Sequence, residues 1–475
     1  MTDALVLSLA DAHFSFHGSD ALALAGIDLQ VRRGETVAVL GPLGAGTSTL
    51  CRLAAGLLGE RGTRSGSVEV QGSVAMLGED PEAQLTGMTS YVDDEVRLPA
   101  RLSGSARPVD VDAALDAFGM QRLLGRRLDT LSGGERQLVA LAGLMTLGPS
   151  LLVLDQPALS LDPDARRLLS ASLRRFCDEG GAVLLAGHQH DELTAAADRI
   201  AFVQGGRLVA DARSAELTDA VLDAHGVWNT VGDPAAPEPE PSSERVPVPE
   251  PEPRRREKRL DVSALTVHRG RSAVFEALDC SAAPGEIVAI VGANGTGKST
   301  LLRAIAGMLE PAARVGGAVR VDHQDLQGLP AHQRARWIGW VGQDPGAQLS
   351  SATVRVELER ALPLPTRRRD RPRARAERAE AVARVLAQTG LTEHADAHPY
   401  DLDPAQRKDL VIASALLLDA GVLLLDEPTL ARDLGAMRRL ERVVHDFSAH
   451  GGTVVITTHD LRWAGRIANR TLRLG

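Results

Sequence analysis

The chain has 475 residues, 44% of them hydrophobic and 24% charged, which is length enough for two or more domains with substantial cores. A formal net charge of −9 argues against nucleic-acid binding as the main task, which calls for a basic face, and the three cysteines, Cys51, Cys177 and Cys280, have neither metal-ligand spacing nor the density of a disulfide framework. No apolar run approaches the ~20 residues of a membrane-spanning helix, and Met1-Thr2-Asp3-Ala4 lacks the basic start of a signal peptide; the expectation is a cytosolic protein, or one held at a membrane by a partner.

In chain order, the first organised stretch is the apolar run Glu35-Thr36-Val37-Ala38-Val39-Leu40, followed by Gly41-Pro42-Leu43-Gly44-Ala45-Gly46-Thr47-Ser48-Thr49. Strand, glycine-rich loop and helix in that order make a phosphate cradle, because small residues let backbone N–H groups close around oxygens at a helix N-terminus. Next come Leu77-Gly78-Glu79-Asp80-Pro81, a mainly helical region between Pro99 and Asp129, and Leu131-Ser132-Gly133-Gly134-Glu135-Arg136. The run Leu152-Val153-Leu154-Asp155-Gln156-Pro157 and then Ala186-Gly187-His188 follow, with a helical tail around Ala215 to Ala224.

From Gly232 the composition changes to Pro and Glu, then Arg, through Arg256. Such a segment cannot bury enough apolar surface to order itself, so it reads as an extended tether. Beyond it the landmarks repeat. Glu286-Ile287-Val288-Ala289-Ile290-Val291 leads into Gly292-Ala293-Asn294-Gly295-Thr296-Gly297-Lys298-Ser299-Thr300, now with a lysine to reach outer phosphates and a serine hydroxyl for Mg²⁺. Val341-Gly342-Gln343-Asp344-Pro345, an arginine-rich helical region from Pro363 to Tyr400, Leu402-Asp403-Pro404-Ala405-Gln406-Arg407, Leu423-Leu424-Leu425-Asp426-Glu427-Pro428 and Thr457-Thr458-His459 match the first copy in order. The expected layout is a domain over 1–231, a linker over 232–257 and a second domain over 258–475. Short apolar strands alternating with helices predict α/β units with mostly parallel sheets. His190, His394 and His398 read as surface polar residues, and the arginines from Arg367 to Arg375 as a solvated or salt-bridged face.

Glycine loop, glutamine loop, Leu-Ser-Gly-Gly signature, Asp-Glu-Pro after a strand and a late histidine resemble, in that order and twice over, the nucleotide-binding domains of ATP-binding-cassette proteins. The resemblance implies two tandem P-loop domains, each with a parallel core sheet and flanking helices, an antiparallel β part and a helical subdomain, and it implies ATP hydrolysis with Mg²⁺. It further implies head-to-tail pairing, each ATP lying between the glycine loop of one domain and the signature of the other. One composite site then keeps its residues. Gly292, Asn294, Gly295, Thr296, Gly297, Lys298 and Thr300 would hold phosphates. Ser299, Gln343 and Asp426 would organise Mg²⁺. Glu427 would polarise the attacking water, and His459 would contact the γ-phosphate. Ser132, Gly133 and Gly134, with Asp162, would come from the first half.

The other site departs from the pattern. Gly41, Gly44, Ala45, Gly46, Ser48, Thr49, Asp155 and His188 remain, but Thr47 replaces the lysine, Glu79 the glutamine and Gln156 the base, and an amide takes no proton at neutral pH. Its signature would be Asp403-Pro404-Ala405, where Pro404 has no N–H to donate and Asp403 brings negative charge. Asp403-Pro404 is also a good helix start, as is Ser132. The losses sort by composite site, as head-to-tail pairing requires and random decay does not. Phe16, with His268 as its counterpart, stands where the family stacks an aromatic on adenine; a plain packing role is the alternative for either.

The pair Asp80-Pro81-Glu82-Ala83-Gln84-Leu85 and Asp344-Pro345-Gly346-Ala347-Gln348-Leu349 is similar to the ATPases of energy-coupling-factor importers of vitamins and transition-metal ions. That resemblance implies a transmembrane coupling protein and a small substrate-binding membrane protein as partners, a place on the cytoplasmic face of the cell membrane, and no nucleic acid. The chain's stop at Gly475 leads one to expect no C-terminal regulatory domain. The alternatives are the fused ATPase of another importer or exporter, and a soluble cassette protein acting on ribosomes.

Overall fold

The computed structural model describes residues 4–79, 85–104, 108–159, 161–232, 258–270, 272–364, 367 and 370–474. Asp80 to Gln84, Ser160, the tether from Asp233 through Arg256, and Gly475 lie outside the described residues. The chain divides into two units, Met1–Val231 and Gly232–Gly475.

In the first unit a six-stranded sheet runs Arg207–Arg213, Arg199–Gln204, Thr36–Leu40, Ala182–Gly187, Leu151–Asp155 and Val74–Leu77 in spatial order. All neighbours are parallel except the first pair. Thr36–Leu40 and Leu151–Asp155 are buried along their whole length, as strands covered on both faces must be, and this is why they read as unbroken apolar runs rather than alternating ones. A separate antiparallel sheet joins Leu24–Arg32, Leu5–Phe16 and Gly62–Val70. The helices Val92–Leu102 and Val111–Asp116 form part of the helical region, whose apolar residues Val96, Leu115, Phe118 and Leu123 join the same core as Leu152 and Leu154.

The second unit repeats this plan with a five-stranded, wholly parallel sheet ordered Ile338–Val341, Val422–Asp426, Thr453–Thr457, Ile287–Val291, Arg470–Arg473. Its antiparallel sheet is built from Ser272–Ala282, Leu260–Arg269, Arg314–Val321 and Gln324–Asp325. Helix Val354–Ala361 precedes the arginine-rich region, and helix Arg371–Thr389 lies within it. There Arg373 pairs with Glu377 in solvent, an arrangement that contributes little to stability. In both units one strand separates the strand before the glycine loop from the strand ending in aspartate. Parallel strands bring both loops to the same edge, the carboxyl ends, where open α/β sheets bind ligands.

Two findings differ from the sequence reading or were absent from it. His190 is buried, not a surface residue: the short strand Gln189–His190 pairs with Trp228–Asn229, and the ring lies 3.1 Å from Thr194 Oγ1. Second, the helix Pro404–Leu416 carries a buried charge, Asp409, whose Oδ1 lies 2.7 Å from Nη2 of the fully buried Arg432. At the matching places the first unit holds two apolar residues, Leu138 and Leu161, both buried.

Burial lowers the pKa of His190 to about 4, against ~6.5 in an unfolded chain. The unfolded state therefore binds more protons between these values, and His190 removes stability as pH falls from about 6.5 towards 4. Melting temperatures of His190→Gln are expected to fall less steeply across that window than those of the wild type; parallel slopes would show that the ring does not resist protonation. For the ion pair, Asp409→Leu takes the carboxylate away from a buried guanidinium and is expected to cost about 3–5 kcal/mol in urea unfolding. Asp409→Leu with Arg432→Leu, which installs the first unit's residues, should recover most of that loss, and a double variant no more stable than the single one would contradict this.

Candidate functional site

The second unit's glycine loop leaves the strand at Val291 and turns into the helix Lys298–Ala306 through Gly297, whose φ of 96° lies in the left-handed region open to glycine. A Cβ there would meet Phe275 Cζ at 2.6 Å. No side chain caps this helix, so its first N–H groups face the loop, the arrangement an anion needs. Ala293, Asn294 and Gly295 are exposed, whereas Lys298 is buried, its Nζ donating to the carbonyls of Gly292 (2.7 Å) and Ala293 (3.0 Å). The ammonium is thus held over its own loop on neutral carbonyl acceptors that charged phosphate oxygens can replace.

Next along the helix, Ser299 Oγ donates to Asp426 Oδ1 at 2.9 Å, and Thr457 Oγ1 donates to the same oxygen at 2.7 Å. Asp426 is fully buried, and its Oδ2 has no hydrogen-bond partner among the described residues. A buried carboxylate oxygen left over beside a serine hydroxyl fits Mg²⁺, which takes one or two protein oxygens and completes its octahedron with water and phosphate. Gln343, the other residue expected at the metal, lies exposed just after the strand Ile338–Val341.

Glu427 follows Asp426 and has φ of 48°, a strained conformation for a side-chain-bearing residue. Its N–H donates to Thr457 O and Thr457 Oγ1. Its carboxylate accepts the His459 N–H at 3.3 Å and lies 3.1 Å from His459 Nε2. Burial, reinforced by Asp426 and opposed by Lys298 and Lys408, pushes its pKa up to about 7. A carboxylate with that affinity for a proton is suited to general-base work near neutrality. Lys298, Ser299, Asp426, Glu427 and His459 are therefore gathered at one place. A neighbour the sequence reading missed is Lys408, which is buried, has a pKa lowered to about 7 chiefly by desolvation, and donates from Nζ to the Glu427 carbonyl.

The first unit keeps the frame and loses charge. Gly46 has φ of 105° before the helix Thr47–Ala54, and a Cβ there would meet Ala23 O at 2.6 Å. Ser48 Oγ donates to Asp155 Oδ1 at 2.9 Å, and Asp155 Oδ2 is buried without a partner among the described residues. Thr47 is buried where the other unit has its lysine. Burial lifts Asp155 to about 6, the Ser48 hydrogen bond opposes it, and the nearby charge of Glu79 adds to it. Gln156 takes the same left-handed conformation as Glu427, with φ of 54°. His188 is buried at the end of the strand Ala182–Gly187.

The signature positions start helices in both units. Ser132 caps Gly133–Met145 through Glu135 N, and Glu135 returns a carboxylate to Ser132 N, a reciprocal capping box. Ser132 and Gly133 remain exposed. Asp403 caps Pro404–Leu416 in the same way with Gln406. Asp162 caps Pro163–Asp178. Phe16 is exposed and meets Phe14 edge-on at 5.0 Å, and His268 is half-buried. In Asp344 to Leu349 the side chains close the turn on itself: Asp344 Oδ1 accepts from Gly346 N, and Gln348 Oε1 accepts from Gly342 N at 2.7 Å. Of the first copy of this motif, Leu85 alone is described. Among the described residues no helix is long and apolar enough to cross a membrane.

The family model described as "ABC transporter" matches residues 24–159 and 275–430. An ABC transporter ATP-binding protein of Streptomyces avermitilis is 34% identical over 99% of this chain and 92% of its own length. A Bacillus subtilis protein named as an HMP/thiamine import ATP-binding protein is 28% identical over 99% of this chain and 90% of its own. Among solved structures, one of an archaeal ribosome recycling factor in complex with a ribosomal stalk protein matches 98% of this chain and 87% of that chain with a TM-score of 0.67 at 20% identity, a likeness of fold. A glycine loop, a buried serine–aspartate pair and a capped signature helix in each of two units, together with these matches over both halves, establish that the chain belongs to the ABC transporter family of ATP-binding, ATP-hydrolysing proteins.

Proposed function

We propose that the chain is the motor of a membrane transporter, in which one composite ATP site hydrolyses and the other is degenerate. The observation that carries this reading is the sorting of losses. The first unit lacks the loop lysine and the base but keeps Ser132-Gly133-Gly134, while the second keeps Lys298 and Glu427 but has Asp403-Pro404-Ala405. Head-to-tail pairing of the units places every loss in one composite site.

In the working site Lys298 and the amides of Gly292 to Thr300 bind the phosphates. Ser299, Gln343 and Asp426 hold Mg²⁺, which when bound neutralises charge on the phosphate oxygens. Glu427 takes the proton of the attacking water, and His459, 3.1 Å from its carboxylate, orients that carboxylate and contacts the γ-phosphate. Ser132, Gly133 and the start of the helix Gly133–Met145 supply donors and a positive dipole end from the other unit, and Asp162 closes the interface. The logic is that of phosphoryl transfer in general: position the water, answer the spreading charge, exclude solvent. In the degenerate site Thr47 supplies no charge and Glu79 adds a negative one, so any nucleotide there binds without turnover.

The transported class we infer is a vitamin or a transition-metal ion, taken up by an energy-coupling-factor type importer. The D-P-x-x-Q-L pattern in both halves supports this, as does the Bacillus relative named for HMP/thiamine import. A transmembrane coupling protein and a small substrate-binding membrane protein are the partners, at the cytoplasmic face of the cell membrane.

Glu427→Gln is expected to lower steady-state hydrolysis by about 10²-fold or more with ATP still bound; near-normal phosphate release would remove Glu427 from the role of base. Ser132→Arg should be as damaging as Lys298→Ala although it lies in the other half, each costing about 10²-fold or more, and full ATPase activity in Ser132→Arg would exclude head-to-tail pairing. Thr47→Lys with Gln156→Glu should leave turnover at the wild-type level, because Asp403-Pro404-Ala405 remains; a doubled rate would contradict this. Affinity purification from membranes is expected to bring down small multi-span proteins, whereas co-purification with ribosomes would point to translation.

A further inference from the structure

One side chain at the second unit's centre has no part in the chemistry above. Lys408 is buried on the helix Pro404–Leu416, and its Nζ donates to the backbone carbonyl of Glu427, which also has the Leu430 N–H at 3.5 Å. The next residue, Asp409, faces Arg432 at 2.7 Å and Arg439 at 3.7 Å. Arg432 in turn donates from Nε to Pro428 O at 2.6 Å and from Nη1 to Ala436 O at 3.4 Å. Two successive helix positions thus grip both ends of the segment Glu427 to Arg432.

The first unit has the helix without the charges. Gln137 stands in place of Lys408 and donates from Nε2 to Pro157 O at 2.6 Å, one residue further along than the lysine reaches. Leu138 and Leu161 replace Asp409 and Arg432. That unit also carries Gln156 where the base should be. The charged grip therefore accompanies the base, and it sits on the helix whose own phosphate-facing start has been changed by Pro404.

We propose that Lys408 is a positioning residue for Glu427: by fixing the carbonyl of a residue held in a strained backbone conformation, it aims the carboxylate at the attacking water, with Asp409 and Arg432 clamping the far end of the same segment. The inference rests on Glu427 being the general base. It explains why the signature helix of the second unit is retained intact in a chain where its contact with phosphate is lost. The charges of Glu427, Asp426 and Asp344 favour the buried ammonium and that of Arg432 opposes it, while its hydrogen bond to the Glu427 carbonyl fixes its direction.

The test uses the full chain and ATP with Mg²⁺. Lys408→Met keeps the volume and loses the donor, and its kcat should fall by about 10- to 100-fold while KM for ATP stays within about twofold. Lys408→Gln, which restores the first unit's amide, should recover part of that loss. On a Glu427→Gln background, Lys408→Met should cost no further turnover, because the carboxylate it aims is gone. Wild-type kcat in Lys408→Met, an equal loss with or without Glu427, or a change in KM alone would overturn the proposal. If Lys408→Met does not fold, Lys408→Gln decides: reduced kcat at unchanged KM supports the role, and wild-type kcat refutes it. Near-normal turnover in Glu427→Gln would instead strike at the assignment of the base, a result separable from full activity in Lys408→Met alone.

Discussion

A serine hydroxyl bonded to a buried aspartate at the end of a parallel strand is the contact on which the rest of each unit depends. It measures 2.9 Å between Ser299 and Asp426, and 2.9 Å between Ser48 and Asp155. It ties the helix behind the glycine loop to a strand two places away in the sheet, so it exists only if strand order and both loops are right. In each unit one carboxylate oxygen is spent on that contact and the other is left buried without a partner among the described residues. Such an oxygen is costly to desolvate unless a cation answers it. The frame is thus built around an incomplete electrostatic arrangement that a cation such as Mg²⁺ would fit.

The two units show how much can be lost from such a site while its frame persists. The first unit has Thr47 and Gln156 where the second has Lys298 and Glu427, yet Gly46, Ser48, Asp155 and the left-handed turn at Gln156 keep the geometry of their counterparts. Glu427 and Gln156 occupy the same strained backbone region, so the strain belongs to the fold, and the side chain alone separates a carboxylate from a neutral amide. The charge balance also differs: Lys298 opposes the carboxylates of one site, and Glu79 adds to the burden on Asp155 in the other.

Helix capping explains how the altered signature survives. A capping box needs an acceptor at the first position and a partner three residues on. Ser132 with Glu135 and Asp403 with Gln406 both satisfy it, and Pro404 at the first turn costs the helix nothing because that N–H has no partner within the helix. What Pro404 removes is a donor directed outwards. The capping box, not the identity of the residue at the first turn, is what holds this helix start, and the chain has kept it at both places.

The glycine loops, the aspartate strands and the helix starts were legible in the sequence because each is a local device. The left-handed turns at Gly46 and Gly297 leave no room for a Cβ, a doubly covered strand needs an unbroken apolar run, and a cap needs a short polar side chain at a fixed offset. The repeat made the losses legible as well, since Thr47, Gln156 and Pro404 could be set against Lys298, Glu427 and Gly133. Tertiary structure decided what depends on residues far apart in the chain. His190 read as a surface residue until a strand from Trp228 covered it, and nothing local to Lys408-Asp409 marked these residues until the turn after Asp426 met them. Asp344 and Gln348 likewise turned out to bond within their own loop. Local propensity and periodicity are written in neighbouring residues, whereas desolvation of a charge is set by whichever segments close over it, and only the folded chain brings those together.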